Sequence, residues 1–467
     1  MTSEASQSTD SSLLISSSCH RVIIGLGKTG MSCVRYLANQ GVPFRVIDTR
    51  SHPPGIDELK SEYPDIPVHT GGFNRQWMMD ADELIVSPGI ALAEPAITEA
   101  IASGVKAIGD IELFCRAVRS DSLSKPIVAI TGSNGKSTVT TLLGEMVEAS
   151  GLSVGVGGNI GTPALELLIN PTTDLYVLEL SSFQLETTEM LQAAAATVLN
   201  ISPDHMDRYS TLVDYHRAKQ AVYRGCATAV FNREDPLTSP LLPVTADAVT
   251  FTTKAPDLGQ YGLLEDEQGV WLSKGLEKLL NTSEMRIRGR HNQQNALAAL
   301  ALGESVGLRL DAMVDVLKTF TGLSHRCQWL AEVDGVSWFN DSKATNVGAA
   351  VAAINGLGAD LPGDVILIAG GDGKGADFSE LKTPIADYVE HLILIGRDGS
   401  LIGQVAQGST HIHSATTMAD AVQQCTQLAT AGDAVLLAPA CASFDMFDSF
   451  EHRGEVYSTL VRERIKC

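Results

Sequence analysis

Residues 131–138 read TGSNGKST and combine glycines, a lysine and hydroxyl side chains, the residue types that bind phosphate. They follow the apolar run KPIVAI and precede VTTLLGEMVEAS, which has helical spacing. Backbone N–H groups at such a strand-to-helix turn bind anions. We therefore predict a nucleotide site in which Lys136 neutralises the β- and γ-phosphates and Ser137 or Thr138 binds Mg²⁺. The run is shorter than G-x-x-x-x-G-K-[ST], because Ile130 occupies the first glycine position.

Acidic and imidazole groups follow two later strand-like runs. Glu179 closes LYVLEL, where an open α/β sheet places ligand groups, so we expect it to serve the metal. Asp204, His205 and Asp207 lie in NISPDHMDRY. His205 could bind a second metal or a substrate phosphate, but the residues alone favour a helix N-cap cluster with Asp204 as the cap. Lys219 lies in HRAKQAVY. Taken alone, it is interpreted as a surface lysine on a helix.

A second glycine-rich turn lies near the start of the chain. Gly25, Gly27 and Gly30 form G-x-G-x-x-G after a strand-like run, and Asp48 follows 18 residues after Gly30. This pattern is typical of NAD(P) sites. A backbone cradle for a diphosphate, with a carboxylate for a hydroxyl, suits a UDP-sugar equally well, and no hydride-transfer residues accompany it. Both readings remain open at this point.

The last third of the chain carries polar loops after apolar strands. They contain Lys343 and Thr345 in NDSKATN, Lys374 in GGDGKGADF, and residues 443–450 in SFDMFDSF. Lysines in such loops can clamp a carboxylate or a phosphate. Solvated loop lysines are an equally good interpretation of each one separately.

Alternating strand-like and helix-like runs must position these residues, which predicts an α/β fold with parallel sheets. We expect three domains, at residues 19–115, 116–322 and 323–467. The Ser-rich residues 1–18 are expected to form a disordered tail.

Bulk properties exclude several classes of function. The net charge of −21 argues against a nucleic-acid or anionic-membrane surface. Eight cysteines without a C-x-x-C pair indicate neither zinc nor a disulfide framework. No apolar run reaches the about 18 residues of a membrane span, and the N-terminus makes a poor signal peptide. We expect a cytoplasmic protein without nucleic-acid or membrane partners.

The order of these motifs closely resembles the Mur ligase family, the ATP-dependent amide-forming ligases of peptidoglycan precursor synthesis. The shortened loop T-G-[ST]-N-G-K is a mark of this family and of the related folylpolyglutamate synthases. LELSSFQL, and SKATN together with GGDGKGADF, are more selective for the branch that adds D-glutamate. The resemblance covers nearly the whole chain beyond the tail, and it is carried by TGSNGKST, LELSSFQL, DHMDRY, RAK, RHNQQNALAA, LSHRCQW, NDSKATN, GGDGKGADF and PACASFDMFDSFEHRG.

The resemblance implies a Rossmann-like N-terminal domain for the UDP portion of the substrate and a central P-loop ATPase-like domain with a parallel sheet. It also implies a Rossmann-like C-terminal domain that binds the amino acid and closes over the other two. The implied activity is ATP-dependent addition of D-glutamate to UDP-N-acetylmuramoyl-L-alanine through an acyl phosphate, by a monomer. The implied cofactors are two Mg²⁺ ions and a CO₂-derived carbamate on Lys219, which replaces the surface reading of that lysine.

Residue roles follow from the same resemblance. ATP is expected to contact Gly132, Ser133, Asn134, Gly135, Lys136, Ser137, Thr138, Asn292, Asn295, Arg326 and Asp341. The UDP-substrate is expected to contact Gly27, Lys28, Thr29, Asp48, Thr49, Arg50, Ser87, Gly89 and Asn159. D-glutamate is expected to contact Lys343, Thr345, Lys374, Ser443 and Phe450. The metals are expected at Ser137, Glu179, His205 and Lys219, and the catalytic group is expected to comprise Lys136, Glu179, His205 and Lys219.

Three alternatives remain. A ligase of the same class could add another amino acid, as another Mur or a folylpolyglutamate enzyme does. An NAD-dependent oxidoreductase fused to an ATPase would rest on the first glycine-rich turn. An ATP-dependent regulator without amide chemistry would leave SKATN and GGDGKGADF unexplained. One residue departs from the family pattern: Lys28 stands where an apolar residue is expected, so it either contacts the diphosphate or is simply exposed.

Overall fold

The structure is a computed structural model that describes residues 20–120, 124–206, 208–241, 246–287, 289–359 and 361–465. The predicted tail at residues 1–18 and Asp207 of the NISPDHMDRY loop lie outside the described residues. The described chain forms three sheets in sequence order, each surrounded by helices.

The first sheet is parallel, with strand order β3-β2-β1-β4-β5. Its glycine-rich turn joins the first strand to the first helix, and Gly30 allows that helix to approach the turn: a Cβ on Gly30 would lie 1.9 Å from the Gly25 carbonyl oxygen. The elements are β1 (Arg21–Ile24), α1 (Lys28–Asn39), β2 (Phe44–Asp48), α2 (Ile56–Glu62), β3 (Val68–Thr70), α3 (Arg75–Met79), β4 (Glu83–Val86), α4 (Pro95–Ala102) and β5 (Lys106–Ile108).

Helix α5 (Asp110–Ser120) connects the first sheet to the second. Its Phe114 packs edge-on against Tyr176 of the middle domain, with ring centroids 5.0 Å apart. Residues of α5 belong to one continuous apolar core with both domains. The boundary expected at residue 115 therefore falls inside a helix that packs on both sides.

The second sheet has nine strands in the order β14-β13-β12-β11-β10-β9-β6-β8-β7. It is parallel from β7 to β12 and antiparallel from β12 to β14. Its elements are β6 (Ile127–Thr131), α6 (Lys136–Ala149), β7 (Val154–Gly158), α7 (Ala164–Leu167), β8 (Leu175–Glu179), α8 (Ser182–Glu186), β9 (Ala195–Val198), α9 (Leu212–Gln220), β10 (Thr228–Asn232), β11 (Asp247–Phe251), β12 (Tyr261–Asp266), β13 (Gly269–Lys274), β14 (Glu277–Asn281), α10 (Arg290–Ser305) and α11 (Leu310–Thr319).

The third sheet has the order β15-β16-β20-β17-β18-β19 and is parallel except at β15. Because β16, β20 and β17 are neighbours, the loops that follow them meet at one edge. Its elements are β15 (Gln328–Val333), β16 (Val336–Asn340), α12 (Val347–Gly358), β17 (Val365–Gly370), α13 (Lys382–Tyr388), β18 (Val389–Ile395), α14 (Gly399–Ala406), β19 (His411–Ser414), α15 (Met418–Leu428), β20 (Ala434–Leu437) and α16 (Phe450–Ile465).

The α/β fold class with three parallel-sheet domains is confirmed. The second boundary, placed at residue 322, lies between α11 and β15, and both boundaries stay predictions. In the part of the chain that the structure describes, no helix combines the length and apolar character needed to cross a bilayer.

Candidate active site at the junction of three domains

The phosphate loop joins β6 to α6, as the sequence predicts. Gly135 precedes the helix with φ +81°, and a Cβ there would lie 2.5 Å from the Asn295 side-chain oxygen. Lys136 Nζ donates to the carbonyl oxygens of Gly132 at 2.8 Å and Ser133 at 2.9 Å. Burial lowers the pKa of Lys136, against the raising effect of Glu179 and Asp204. The Lys136 side chain thus folds back onto the phosphate loop. A bound anion would compete with these two carbonyl oxygens for its ammonium group.

Lys219 lies inside the protein, and the surface reading of this lysine is wrong. The residue is 2% exposed, and Nζ donates to the Gly132 carbonyl oxygen at 2.8 Å and to Thr131 Oγ1 at 3.3 Å. Nζ also lies 4.7 Å from the centroid of the Tyr215 ring. Burial holds the pKa of Lys219 well below its usual range, and the charge of Lys136 lowers it further.

Glu179 ends β8 beside the phosphate loop and is 2% exposed. Its Oε1 accepts from Asn159 Nδ2 at 2.7 Å, which joins the metal candidate to a UDP-substrate candidate. Its Oε2 is buried and has no hydrogen-bond partner. A buried carboxylate oxygen without a hydrogen-bond partner destabilises the fold. A bound cation would supply the missing partner.

His205 lies in the loop after β9 with φ +56°. Its ring meets the Phe183 ring at 4.9 Å between centroids, and Nε2 lies 3.6 Å from Asp204 Oδ2. The cap of α9 is Thr211, which accepts from the Asp214 N–H, so the alternative reading of Asp204 as a helix cap is wrong.

A cleft of about 360 Å³ lies between the middle and C-terminal domains beside the phosphate loop. It brings together most of the predicted ATP residues, with Asn295 Nδ2 donating to Asn292 Oδ1 at 3.2 Å on one face of α10. The predicted ATP residues that line it are Asn134, Gly135, Thr138, Asn292, Asn295, Arg326 and Asp341, and Lys343 lines it as well.

Two of the predicted ATP residues reach the cleft from the C-terminal domain. Arg326 Nη2 donates to Ser137 Oγ at 2.7 Å, and burial lowers the pKa of Arg326. Asp341 Oδ1 accepts from the Cys327 N–H at 3.1 Å. Burial raises the pKa of Asp341 to about 7, although the Cys327 N–H and Arg326 oppose the rise. This cleft therefore depends on residues about 200 positions apart in the chain.

A second cleft of about 620 Å³ lies between the first and middle domains. All nine predicted UDP-substrate residues line it: Gly27, Lys28, Thr29, Asp48, Thr49, Arg50, Ser87, Gly89 and Asn159. Lys28 Nζ crosses the boundary and donates to the Gly161 carbonyl oxygen at 2.6 Å.

Asp48 makes four hydrogen bonds with its two carboxylate oxygens. They accept from the Leu26 N–H at 2.7 Å and, through the backbone N–H, Nε and Nη2, from Arg50 at 2.7–2.9 Å. Burial raises the pKa of Asp48, but these bonds outweigh it and leave the pKa below its usual value. A carboxylate offers about four acceptor sites, so Asp48 is saturated and orients Arg50 towards the cleft.

The predicted D-glutamate residues lie on the loops after β16, β17 and β20 and at the start of α16. Lys343 Nζ lies 3.7 Å from the centroid of the Phe450 ring, and Lys374 Nζ lies 5.6 Å from that of Phe444. Ser443 is buried in the loop after β20, and Thr345 follows Lys343 in the loop after β16. The strand order thus brings the five predicted residues to one edge of the third sheet.

Sequence reasoning missed several residues that support the phosphate loop. The Asn134 N–H donates to Asn200 Oδ1 at 2.8 Å, the Ser202 N–H donates to Ser133 Oγ at 3.0 Å, and Tyr215 OH lies 3.2 Å from the same oxygen. Their signals were present: Asn200 and Ser202 follow an apolar strand as Glu179 does, and Tyr215 stands four residues before Lys219 on one helical face.

Known family models match the chain in three consecutive stretches. A model described as "Mur ligase MurD-like, N-terminal domain" matches residues 19–109. The Mur ligase middle domain matches residues 130–303, and "Mur ligase, glutamate ligase domain" matches residues 325–441.

Curated relatives match almost end to end. The UDP-N-acetylmuramoylalanine--D-glutamate ligase of Pseudomonas aeruginosa is 53% identical over 450 residues, which cover 96% of this chain and 99% of the relative. The ligase of the same name from Pseudomonas fluorescens is 54% identical with the same coverage.

Solved structures share the fold at lower identity. The MurF ligase of Thermotoga maritima in complex with ADP is 14% identical with a TM-score of 0.60, covering 96% of each chain. The UDP-N-acetylmuramate-alanine ligase of the same organism is 17% identical with a TM-score of 0.55, covering 95% of this chain and 99% of that one.

Proposed function

The chain belongs to the Mur ligase family, and we propose that it joins D-glutamate to UDP-N-acetylmuramoyl-L-alanine in an ATP-dependent step of peptidoglycan precursor synthesis. One structural observation supports the proposal independently of the comparisons with known proteins. Glu179 and Lys219 lie buried beside the phosphate loop, where the charge of Glu179 acts on Lys136 and Lys219 donates to Gly132, and Glu179 also accepts from Asn159, which lines the other cleft. A phosphate and a carboxylate held in the two clefts would meet at this junction.

The donor set fits Mg²⁺. The partnerless Oε2 of Glu179 and the Ser137 hydroxyl are hard oxygen ligands of the kind that Mg²⁺ prefers, together with phosphate oxygens and water. Among the described residues, no three His, Cys, Asp or Glu side chains form a group able to hold a metal, so the nucleotide must supply further ligands. When bound, Mg²⁺ would offset the charge between the phosphates and the attacking carboxylate.

A second metal at His205 and Lys219 requires a change in the lysine. A carbamate forms from the neutral amine and CO₂, and the environment of Lys219 favours that form because burial and Lys136 both lower its pKa. Carbamylation would turn a buried cation into an anionic oxygen ligand. We propose this modification in the working enzyme, with Lys219 and His205 as ligands of the second Mg²⁺.

The chain's own residues prepare the carboxylate for attack. Lys136, Arg326 and the amides of the phosphate loop would hold ATP while Arg50 and Asn159 hold the UDP-substrate, which gives the proximity that phosphoryl transfer needs. The alanine carboxylate oxygen would attack the γ-phosphorus, ADP would leave, and an acyl phosphate would form. The amine of D-glutamate, after losing a proton, would then attack the acyl carbon and expel phosphate.

Water must be kept from the acyl phosphate. The Arg326–Ser137 bond supports a role for the C-terminal domain as a cover, because it places that domain against the phosphate loop. The domain would swing onto the other two when both substrates are bound.

The cleft between the first and middle domains suits a uridine diphosphate better than NAD. In the dinucleotide fingerprint the acidic residue accepts from a ribose hydroxyl, but the oxygens of Asp48 are already saturated, largely by Arg50. Asp48 therefore orients the guanidinium group of Arg50 to bind the UDP-substrate. Lys28 is a second cation at the same cleft.

The amino-acid site is proposed at the loops of the third sheet. Lys343 and Lys374 both face aromatic rings, a contact that a substrate carboxylate can replace. D-glutamate carries two carboxylates, one for each lysine. Thr345, Ser443 and Phe450 would complete the site.

Phosphate release tests the proposal directly. The protein is supplied with ATP, Mg²⁺, UDP-N-acetylmuramoyl-L-alanine and one amino acid at a time. We expect phosphate release only when the amino acid supplied is D-glutamate. Phosphate release with L-lysine or L-glutamate but not with D-glutamate would contradict the assignment. We further propose a cytoplasmic monomer, and light scattering during size-exclusion chromatography measures the oligomeric state.

A further inference from the structure

Arg208 connects the first domain to the loop that carries His205. Its side chain is 14% exposed, although it belongs to a surface loop after β9. Nη1 donates to the Pro88 carbonyl oxygen at 2.9 Å, and Nη2 donates to Glu186 Oε2 at 3.0 Å. The guanidinium carbon lies 4.2 Å from the centroid of the Phe183 ring. One side chain therefore contacts two separate segments, the loop after β4 through Pro88 and helix α8 through Phe183 and Glu186.

The first contact reaches the cleft proposed for the uridine diphosphate. Pro88 lines this cleft itself, together with Ser87, Gly89 and Ile90 of the loop after β4. The Ser87 N–H and hydroxyl in turn donate to the carbonyl oxygens of Ile24 and Gly25 in the glycine-rich turn. A ligand that contacts this loop acts on the carbonyl group that Arg208 binds.

The other contacts reach His205. The backbone N–H groups of Arg208 and Tyr209 donate to the His205 carbonyl oxygen at 2.9 and 3.0 Å, which holds His205 at its positive φ. The Phe183 ring that Arg208 covers also meets the His205 ring. The Arg208 side chain thus acts on the His205 ring through Phe183, while the backbone N–H groups of Arg208 and Tyr209 hold the His205 carbonyl oxygen.

We propose that Arg208 is a positioning residue that couples occupancy of the uridine-diphosphate cleft to the placement of His205 for metal and nucleotide binding. This inference rests on the proposed function, since it assigns ligands to both places. Only arginine suits the task, because its planar fork donates in two fixed directions while its face packs on a ring. Coupling between two binding sites is reciprocal, so each ligand should tighten binding of the other.

Calorimetry on the full chain measures this coupling. The dissociation constant of UDP-N-acetylmuramoyl-L-alanine is determined with and without saturating ADP and Mg²⁺, and the ratio of the two constants is the coupling factor. We expect a factor of about 5 or more in the parent, the usual range for linked sites. In Arg208→Met the factor should fall to within about twofold of one, the limit for uncoupled sites, while each ligand still binds alone.

Two further variants make the result specific. Arg309→Met removes an exposed arginine paired with Asp311 on α11, and it should keep the parent's factor. Arg208→Lys keeps the charge but not the fork, so its factor should lie between those of the parent and Arg208→Met. If Arg208→Met does not fold, as judged by thermal unfolding, Arg208→Lys decides.

The outcomes separate this inference from the proposed function. A parent without ligase activity on these substrates overturns the proposed function and this inference with it. An active parent whose coupling factor is one overturns the inference alone. The same conclusion follows if Arg208→Met, or Arg208→Lys where that variant decides, retains the parent's factor.

Discussion

Replacing Asp341 with asparagine should weaken nucleotide binding by a factor that grows as the pH rises through 7. Asp341 lines the nucleotide cleft, and burial raises its pKa to about 7. Only the ionised carboxylate accepts from a ribose hydroxyl with both oxygens. Since Oδ1 already accepts from the Cys327 N–H, the second oxygen is the one left for the nucleotide.

The magnitude follows from this pKa. A group with a pKa of about 7 is roughly 10% ionised at pH 6 and roughly 90% ionised at pH 8. A hydrogen bond to a charged acceptor contributes about 1.5–3 kcal/mol, or about 10–150-fold in affinity. Asp341→Asn should therefore bind ADP about 10–150-fold more weakly at pH 8, and the deficit should shrink to about 2–16-fold at pH 6.

Titration calorimetry with ADP from pH 5.5 to 8.5 measures the effect. The ratio of parent to variant affinities removes the titration of the ADP phosphates, which is common to both. Asp387→Asn, an exposed carboxylate on α13, is the matched control and should give a ratio near one at every pH. A ratio for Asp341→Asn that does not change with pH would refute the assignment of Asp341 to the ribose.

Stability gives a second readout with a definite sign. The folded pKa of Asp341 lies above its unfolded value of about 3.9, so the folded state holds the proton more tightly. The parent therefore loses stability as the pH rises from about 4 to 7, by at most about 4 kcal/mol. Asp341→Asn removes this dependence. The unfolding midpoint of the variant in denaturant, measured relative to that of the parent, should therefore rise from pH 5 to pH 8.

Three other substitutions test the site in separate assays. Lys219→Ala should lose at least about 100-fold in activity and regain part of it with a short-chain carboxylic acid; normal activity without rescue would exclude the carbamate. Glu179→Gln keeps an acceptor for Asn159 but should raise the half-saturating Mg²⁺ concentration about 10–100-fold, and an unchanged Mg²⁺ titration argues against a metal there. Lys374→Met should raise the KM for D-glutamate at least about tenfold without changing ADP affinity, and the reverse pattern would move Lys374 out of the amino-acid site.

The sequence predicts well what is encoded locally. The phosphate loop needs only a strand, a turn and a helix in succession, and Glu179 needs only the end of a buried strand. Both are found at these positions. The G-x-G-x-x-G turn is equally local, because Gly30 is required by the Gly25 carbonyl five residues away.

Burial and saturation are not encoded locally. Lys219 has the sequence context of a surface lysine, but the fold brings its Nζ to Thr131 and Gly132 at the start of the phosphate loop and buries it there. Asp48 and Arg50 are two residues apart, yet no spacing rule shows that their bonds use every acceptor site of the carboxylate. Arg208 and Pro88 are 120 residues apart, so only the arrangement of the domains reveals their contact.

The electrostatics of the junction is another nonlocal property of the fold. Lys136, Lys219 and Arg326 converge on the phosphate loop, and burial lowers the pKa of all three, with Glu179 as the buried carboxylate among them. Such a cluster of cations is unfavourable in the ligand-free protein, because each charge is partly desolvated and repels its neighbours. Polyphosphate and carboxylate ligands would remove the repulsion, and a carbamate on Lys219 would reverse one of the charges. The residues that destabilise the empty site are thus the ones that favour its anionic ligands, as expected where stability and activity conflict.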